Sequence, residues 1–161
     1  MREDQFGRFV EGLEGVPAKL QSLLNNVTEE QLRFKPDENT FSLKENLLHL
    51  RDLEIEGFGR RIRLMLAEDC PVLLDIDGDK LARLRHYQNA DAFLALKEFS
   101  QARVANLAYL RNMTGFQYHR RAIWNDQEVT LFQVAERWLE HDQQHLKSME
   151  QLVQGFQGAA A

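Results

Sequence analysis

TLFQVAERWLEHDQQHLKSMEQLV, residues 130–153, is the stretch that decides the fold class and holds the candidate site. At 100° per residue, its apolar side chains fall within one arc of a helix. That arc contains Leu131, Val134, Trp138, His141, His145, Met149 and Leu152. Two histidines therefore share the buried stripe on adjacent turns, and this H-x-x-x-H spacing lets both imidazoles reach one metal ion. Histidines at helix borders that bond to carbonyls or carboxylates are the alternative.

Three further long helical stretches precede this one, so the sequence predicts an all-α four-helix bundle. Their apolar residues recur at helical spacing, and turn residues separate them. The stretches lie at 3–25, 42–68 and 91–112. Gly15 and Pro17 should bend or break the first one. No alternating segment is long enough to predict a sheet, and 161 residues fit one domain spanning 1–161.

Capping boxes mark where several helices begin. The S/T-x-x-E/Q pattern occurs at Thr28, Ser42 and Thr130. In such a box the hydroxyl and the longer side chain three residues later satisfy free backbone amides at the helix start. The box at Thr28 predicts a short connecting helix, and the box at Thr130 predicts a last helix that extends to about Val153. Asp91 is the predicted cap of the third long helix.

Composition and charge exclude several classes of function. The net charge of −5 repels phosphate backbones, so we expect no nucleic-acid partner. No run of about 18 apolar residues occurs, so we expect no membrane span. The single cysteine, Cys70, excludes an internal disulfide framework. Together with an N-terminus that lacks the apolar core of a secretory signal, it predicts a cytoplasmic protein.

The longest irregular connection is predicted between Pro71 and Asn89, and its DIDGD segment, 75–79, invites comparison with a calcium loop. An EF-hand loop needs Gly at position six and Glu at position twelve. Counted from Asp75, those positions hold Lys80 and His86. We therefore predict no calcium site there.

A third metal ligand would have to come from another helix, and His49 is the best candidate. It lies within LLHLRDLE in the second long helix, whereas His86 and His119 fall in predicted connections. The strongest apolar arc of that helix lies roughly opposite His49, so two interpretations stay open. The histidine faces solvent, or it lies at the mouth of a cleft where an ion bound from two helices stays open to substrate.

These motifs carry a resemblance to a known family. LLNNVTEEQLRFKPDENTFSLKENLLHLRDLE, residues 23–54, followed by LEHDQQHL, residues 139–146, resembles the DinB-like superfamily of damage-inducible and thiol-transferase proteins. The resemblance implies an up-down-down-up four-helix bundle and a metal triad of His49, His141 and His145. Phe41 is a departure, since many relatives place tryptophan before the capping serine.

The resemblance also implies a function. Three neutral imidazoles favour borderline divalent ions, with zinc or nickel expected first and iron or manganese as alternatives. Several relatives attach a small thiol to an electrophile, which implies a metal-dependent transferase that uses a low-molecular-weight thiol. A metal-dependent hydrolase suits the same ligands, and a non-enzymatic metal-binding stress-response protein is a third hypothesis. The resemblance further implies a homodimer.

Side chains around the triad are assigned from the sequence as well. Glu45, Asp52 and Asp142 are the candidates to orient the histidines, with ordinary solvated helix charge as the alternative for each. Trp124 and Trp138 are candidates to line a cleft, although core packing is the expectation for Trp138.

Overall fold

The computed structural model describes residues 3–159 as a bundle of long helices with a small sheet. The helices are α1 (Glu3–Glu14), α2 (Val16–Leu23), α3 (Glu29–Arg33), α4 (Leu43–Asp52), α5 (Gly59–Ala67), α6 (Gly78–Leu84), α7 (Ala92–Arg111) and α8 (Leu131–Ala159). A π-helical segment spans Leu53–Phe58, and 3-10 turns span Tyr87–Asn89 and Gln117–His119. The strands are β1 (Val72–Leu73), β2 (Arg121–Trp124) and β3 (Gln127–Thr130).

Four helical units form the bundle: α1 with α2, α4 with α5, α7, and α8. Both α1 and α4 pack against α7 and α8. The predicted break in the first unit is confirmed, because α1 ends before Gly15 and Pro17 lies in the first turn of α2. The last helix runs to Ala159, six residues beyond its predicted end at Val153. Across the described residues, no helix combines the length and the apolar character that crossing a membrane requires.

The predicted helix starts are confirmed by their hydrogen bonds. Thr28 forms a capping box with Gln31, and Ser42 forms one with Glu45. At the start of α8, Thr130 N donates to the Gln133 side chain at 2.9 Å, and Gln133 N donates back to the threonine hydroxyl at 3.2 Å. These short-range bonds fix where the bundle helices begin.

The sequence predicts one continuous second long helix. The structure differs, because the π-helical segment interrupts it between α4 and α5. The wider turn directs the Glu54 carbonyl to two donors, Gly59 N and Asn106 Nδ2, the latter at 3.0 Å. A Cβ on Gly59 would lie 2.5 Å from Asn106 Nδ2, so a side chain there would displace this asparagine. The segment also turns the Glu54 side chain into the core, where it is 1% exposed.

Two expectations about the connections were wrong. Three short strands form a sheet in which β1 pairs parallel to β2 and β2 pairs antiparallel to β3. Strands of two to four residues are too short to show an alternating pattern, and the hairpin turns on Asn125 and Asp126, both at positive φ. The connection predicted to be irregular between Pro71 and Asn89 contains α6, which Asp77 caps.

Buried apolar side chains form two clusters that pack the bundle. One includes Phe58 and Trp138, whose rings stack with centroids 5.8 Å apart. Trp138 is fully buried, as core packing requires, and Trp124 is 7% exposed in the same cluster. The other cluster includes Leu47 on α4 and Phe99 on α7. Between them they bury α4 on nearly all sides, which decides the environment of His49.

Candidate metal centre

His49 of α4 meets His141 and His145 of α8 at one point. The three ring centroids lie 4.5 to 5.0 Å apart, and one ligand nitrogen from each ring falls within 4.8 Å of the others. His49 is only 8% exposed, so of its two open interpretations the solvent-facing one was wrong. The His141 side chain is 20% exposed, and the cluster is therefore open to solvent on the α8 side.

The packing of two helices brings these rings together. H-x-x-x-H places His141 and His145 one turn apart on α8. The ring of Phe58 lies 5.3 Å from the His141 ring, and the ring of Phe41 lies 5.6 Å from the His49 ring. The departure at Phe41 therefore keeps an aromatic contact with the site. These rings shield the histidines from water on two sides.

Asn46 orients His145. Its side-chain Oδ1 lies 2.7 Å from His145 Nδ1 and accepts a hydrogen bond when that nitrogen carries the proton. The Asn46 amide in turn donates to the Ser42 carbonyl at 2.9 Å, which fixes the oxygen toward the histidine. The Nε2 lone pair of His145 is then free to bind an ion. Sequence reasoning missed Asn46, although it lies three residues before His49 on the same helix face.

The other two rings face each other through their Nε2 atoms, 2.9 Å apart. Among the described residues, Nδ1 of His49 and Nδ1 of His141 are buried without a hydrogen-bond partner. Asp142 Oδ1 lies 3.6 Å from His141 Nδ1, too far for a hydrogen bond. The two Nε2 atoms are close enough together that both rings would serve as ligands of one ion.

Burial keeps His49 and His145 neutral, as metal ligation requires. Burial, with a smaller contribution from His141, lowers the pKa of His49 to about 3. Burial and then the neighbouring His141 and His49 lower the pKa of His145 to about 3, although Asp142 opposes the shift. Near neutral pH both imidazoles therefore offer lone pairs. The donor set fits a borderline divalent ion.

Gly78, the first residue of α6, packs directly against the His49 ring. A Cβ at this position would lie 2.7 Å from His49 Cε1 and 2.8 Å from its Nδ1. The approach requires glycine, because a methyl group would push the imidazole out of place. Asp77 holds this turn by accepting a hydrogen bond from Lys80 N at 3.0 Å.

We therefore expect Gly78→Ala to weaken metal binding about 10- to 100-fold, the usual effect of disturbing a group that orients a ligand. Competition with a chelator measures the affinity, and circular dichroism checks the fold. Gly115→Ala is the matched control, since a Cβ at Gly115 meets nothing within 4 Å. Equal metal affinity of the two variants would show that Gly78 does not set the position of His49.

The three carboxylates predicted to orient the histidines have different surroundings. Glu45 completes the Ser42 capping box and pairs with Lys35 at 3.1 Å. Asp52 accepts a hydrogen bond from the Tyr87 hydroxyl and pairs with Arg85 at 2.9 Å. Neither contacts an imidazole.

Asp142 approaches His141, yet its main partner is Arg103 on α7. Arg103 Nη2 donates to Asp142 Oδ2 at 2.6 Å, and the same guanidinium binds both Glu54 carboxylate oxygens at 2.7 Å. Trp138 Nε1 donates to Glu54 at 3.1 Å. This buried network, which we call the Glu54–Arg103–Asp142 network, ties the π-helical segment to the start of the histidine pair.

Sequence reasoning missed this network. The signal for Arg103 was present, since it lies four residues from both Phe99 and Leu107 on the apolar stripe of α7. Nothing in the sequence pattern indicates a buried Glu54, because the direction of its side chain depends on the π-helical segment.

Comparison with known proteins agrees with this architecture. The family model of the DinB superfamily matches residues 13–149. The chain is 24% identical over 152 residues to "Putative metal-dependent hydrolase YfiT" of Bacillus subtilis, covering 93% of this chain and 85% of that protein. It is also 24% identical over 155 residues to "Putative metal-dependent hydrolase BH0277" of Halalkalibacterium halodurans, covering 95% of this chain and 89% of that protein.

A solved structure shows the same fold. YfiT from Bacillus subtilis, described as "a probable metal-dependent hydrolase with an unusual four-helix bundle topology", superposes with a TM-score of 0.89 at 23% identity, over 97% of this chain and 90% of that one. The predicted all-α, up-down-down-up four-helix bundle is confirmed. The family match over residues 13–149 shows that this chain belongs to the DinB superfamily.

Proposed function

We propose that the protein binds one divalent transition metal ion through His49, His141 and His145 and is a metal-dependent enzyme. The observation that carries the proposal is the convergence of three imidazole nitrogens within 4.8 Å, in surroundings that keep His49 and His145 unprotonated. Three protein ligands leave coordination positions open, which is the arrangement of catalytic rather than structural sites. Zinc or nickel is the expected ion, with iron or manganese as alternatives.

When bound, such an ion lowers the pKa of a thiol or of water, so that a nucleophile is available near neutral pH. The chain's own residues would supply position and shielding. Asn46 fixes the ring of His145, and the aromatic rings of Phe41 and Phe58 exclude water beside His49 and His141. The exposed edge of His141 leaves one side open for a substrate.

The favoured reaction is transfer of a low-molecular-weight thiol to an electrophile. The three carboxylates predicted to orient the histidines are already paired: Asp142 with Arg103, Glu45 with Lys35, and Asp52 with Arg85. None of these three carboxylates is therefore free to act as a general base. A thiol is the easier nucleophile under these conditions, because its unperturbed pKa of about 8.5 is already close to neutral.

Hydrolysis is the second candidate, and the names of the relatives favour it. YfiT and BH0277 are both called putative metal-dependent hydrolases. The same three histidines would serve that reaction with water in place of the thiol. The homodimer implied by the family resemblance stays a prediction.

Turnover of the metal-loaded protein should distinguish these reactions. We expect the zinc- or nickel-loaded protein to conjugate one of several cellular thiols to an electrophile. The conjugation rate of His145→Ala should be lower by a factor of at least about 100, because this variant lacks a ligand of the ion. Mass spectrometry of the conjugate measures the reaction. Ester or amide cleavage without added thiol would favour the hydrolase instead, and metal binding with neither reaction would favour a non-enzymatic, stress-response role.

A further inference from the structure

A cavity lies away from the histidines. It is a cleft of about 690 Å³ between α5 and α6, and none of the three histidines lines it. Its volume falls within the roughly 300–1,000 Å³ of small-molecule sites. The cleft nevertheless ends close to the metal centre, because Asp77 lines it and Gly78 packs on His49.

Arg61, which lines this cleft, is the exception among the buried charges of the described residues. It is 4% exposed and has no carboxylate within 4.0 Å. The other buried acidic and basic side chains each have an oppositely charged partner within that distance: Lys44, Glu45, Asp52, Glu54, Arg103 and Asp142. A buried charge without a counter-charge is costly, so a guanidinium without an ion pair in the wall of a cleft is suited to bind an anionic ligand.

The contacts of Arg61 leave one edge of its guanidinium unused. Nε and Nη2 both donate to the Leu74 carbonyl, at 3.2 and 2.8 Å. The faces of the group lie near the rings of Phe58 and Trp124, with the guanidinium carbon 5.0 and 4.4 Å from the ring centroids. Within the described residues, Nη1 of Arg61 donates to no acceptor. This atom is not fully buried, so solvent or a ligand can reach it.

The nearest candidate for a counter-charge is already engaged. Asp75 favours the charged form of Arg61, but burial outweighs it and lowers the pKa of the guanidinium. The Asp75 carboxylate accepts a hydrogen bond from Trp124 Nε1 at 2.6 Å. The remaining edge of Arg61, formed by Nη1 and the second hydrogen of Nη2, matches the two oxygens of a carboxylate.

The cleft has apolar lining beside charged side chains of both signs, which besides Arg61 are Glu56, Arg60, Glu68, Asp75, Asp77, Lys80 and Arg85. Its wall includes Leu64, Leu81 and Ile76, and its rim carries side chains that are unusually exposed for their size: Val72 at 67%, Leu74 at 70% and Leu84 at 64%. These apolar side chains offer a surface along which an aliphatic chain can pack.

We propose that the cleft between α5 and α6 binds a small organic carboxylate with an aliphatic body, the carboxylate on Arg61 and the chain along Leu81 and Leu84. This site is separate from the histidines, and the proposal does not depend on the proposed function.

Calorimetric titration with sodium octanoate tests the site. We expect saturable binding of one molecule per chain, and no comparable binding of octylammonium, which has the same chain length and the opposite charge. Leu84→Asp should weaken octanoate binding about tenfold or more, because it places an acid in the cleft. Leu94→Asp is the matched control, since Leu94 is 52% exposed on α7 outside the cleft and its variant should bind as the unmodified protein does.

Two further variants sharpen the test. Arg61→Gln should weaken binding by a similar factor; if it does not fold, Leu84→Asp and the octylammonium comparison decide. His145→Ala should bind octanoate normally, whether or not it has lost its metal. Absence of saturable binding, equal binding of octylammonium, equal affinity of the Leu84 and Leu94 variants, or loss of binding in His145→Ala would each overturn the proposal.

Discussion

Replacing His49 with alanine should reduce the bound metal from one ion per chain to a trace, with an affinity loss of at least about 100-fold. Even removal of a group that merely orients a ligand usually costs 10- to 100-fold, and His49 is the only ligand that α4 contributes. The two remaining histidines lie on one helix and cannot enclose an ion from two sides. Elemental analysis of protein purified without a histidine tag, followed by chelator competition, measures the change.

The fold should survive this substitution, which separates loss of a ligand from loss of structure. His49 has a buried Nδ1 without a hydrogen-bond partner among the described residues, so its removal also removes an unfavourable buried group. His119→Ala is the matched control, because His119 is an exposed histidine in a 3-10 turn away from the cluster. If His49→Ala keeps one ion per chain, or if the His119 variant loses the ion equally, then the proposed centre is wrong.

Much of the bundle could be predicted because its signals are local. The capping boxes at Thr28, Ser42 and Thr130 depend on side chains three residues apart, and the stripe of α8 depends on spacing along one helix. The same locality explains why the sequence pairs His141 with His145. Local spacing does not predict the position of His49. On the helical wheel of the second long helix, His49 lies opposite the strongest apolar arc. The structure buries α4 on nearly all sides, so no single arc of that helix describes the core.

The features that sequence reasoning missed arise from long-range packing. The π-helical segment turns Glu54 toward Arg103, 49 residues along the chain. The short strand β1 pairs with β2 across a similar separation, and neither strand is long enough to show a pattern by itself. Gly78 lies in the DIDGD segment, where the sequence predicts no calcium site but gives no sign that the missing side chain makes room for His49. The groups that surround the candidate site were therefore harder to predict than its ligands.

Substitution of Arg103 by methionine should lower the free energy of unfolding by about 3–5 kcal/mol, which is the usual cost of removing one partner from a buried ion pair. Arg103 is 1% exposed and compensates two buried carboxylates, Glu54 and Asp142. Without it, two negative charges stay in the core and repel each other. Urea unfolding of the metal-free protein measures the loss, which is a large share of the roughly 5–15 kcal/mol that stabilises a domain.

Arg111→Met on the same helix is the matched control. Arg111 pairs with Glu14 at 2.8 Å, but the two side chains are 48% and 58% exposed, so we expect a change of no more than about 1 kcal/mol. Adding Glu54→Gln and Asp142→Asn to Arg103→Met should recover part of the loss, since the uncompensated charges are then gone. Equal destabilisation by the two arginine variants would mean that the core tolerates both carboxylates without their counter-charge. In that case the Glu54–Arg103–Asp142 network would not explain how the π-helical segment is held against α7 and α8.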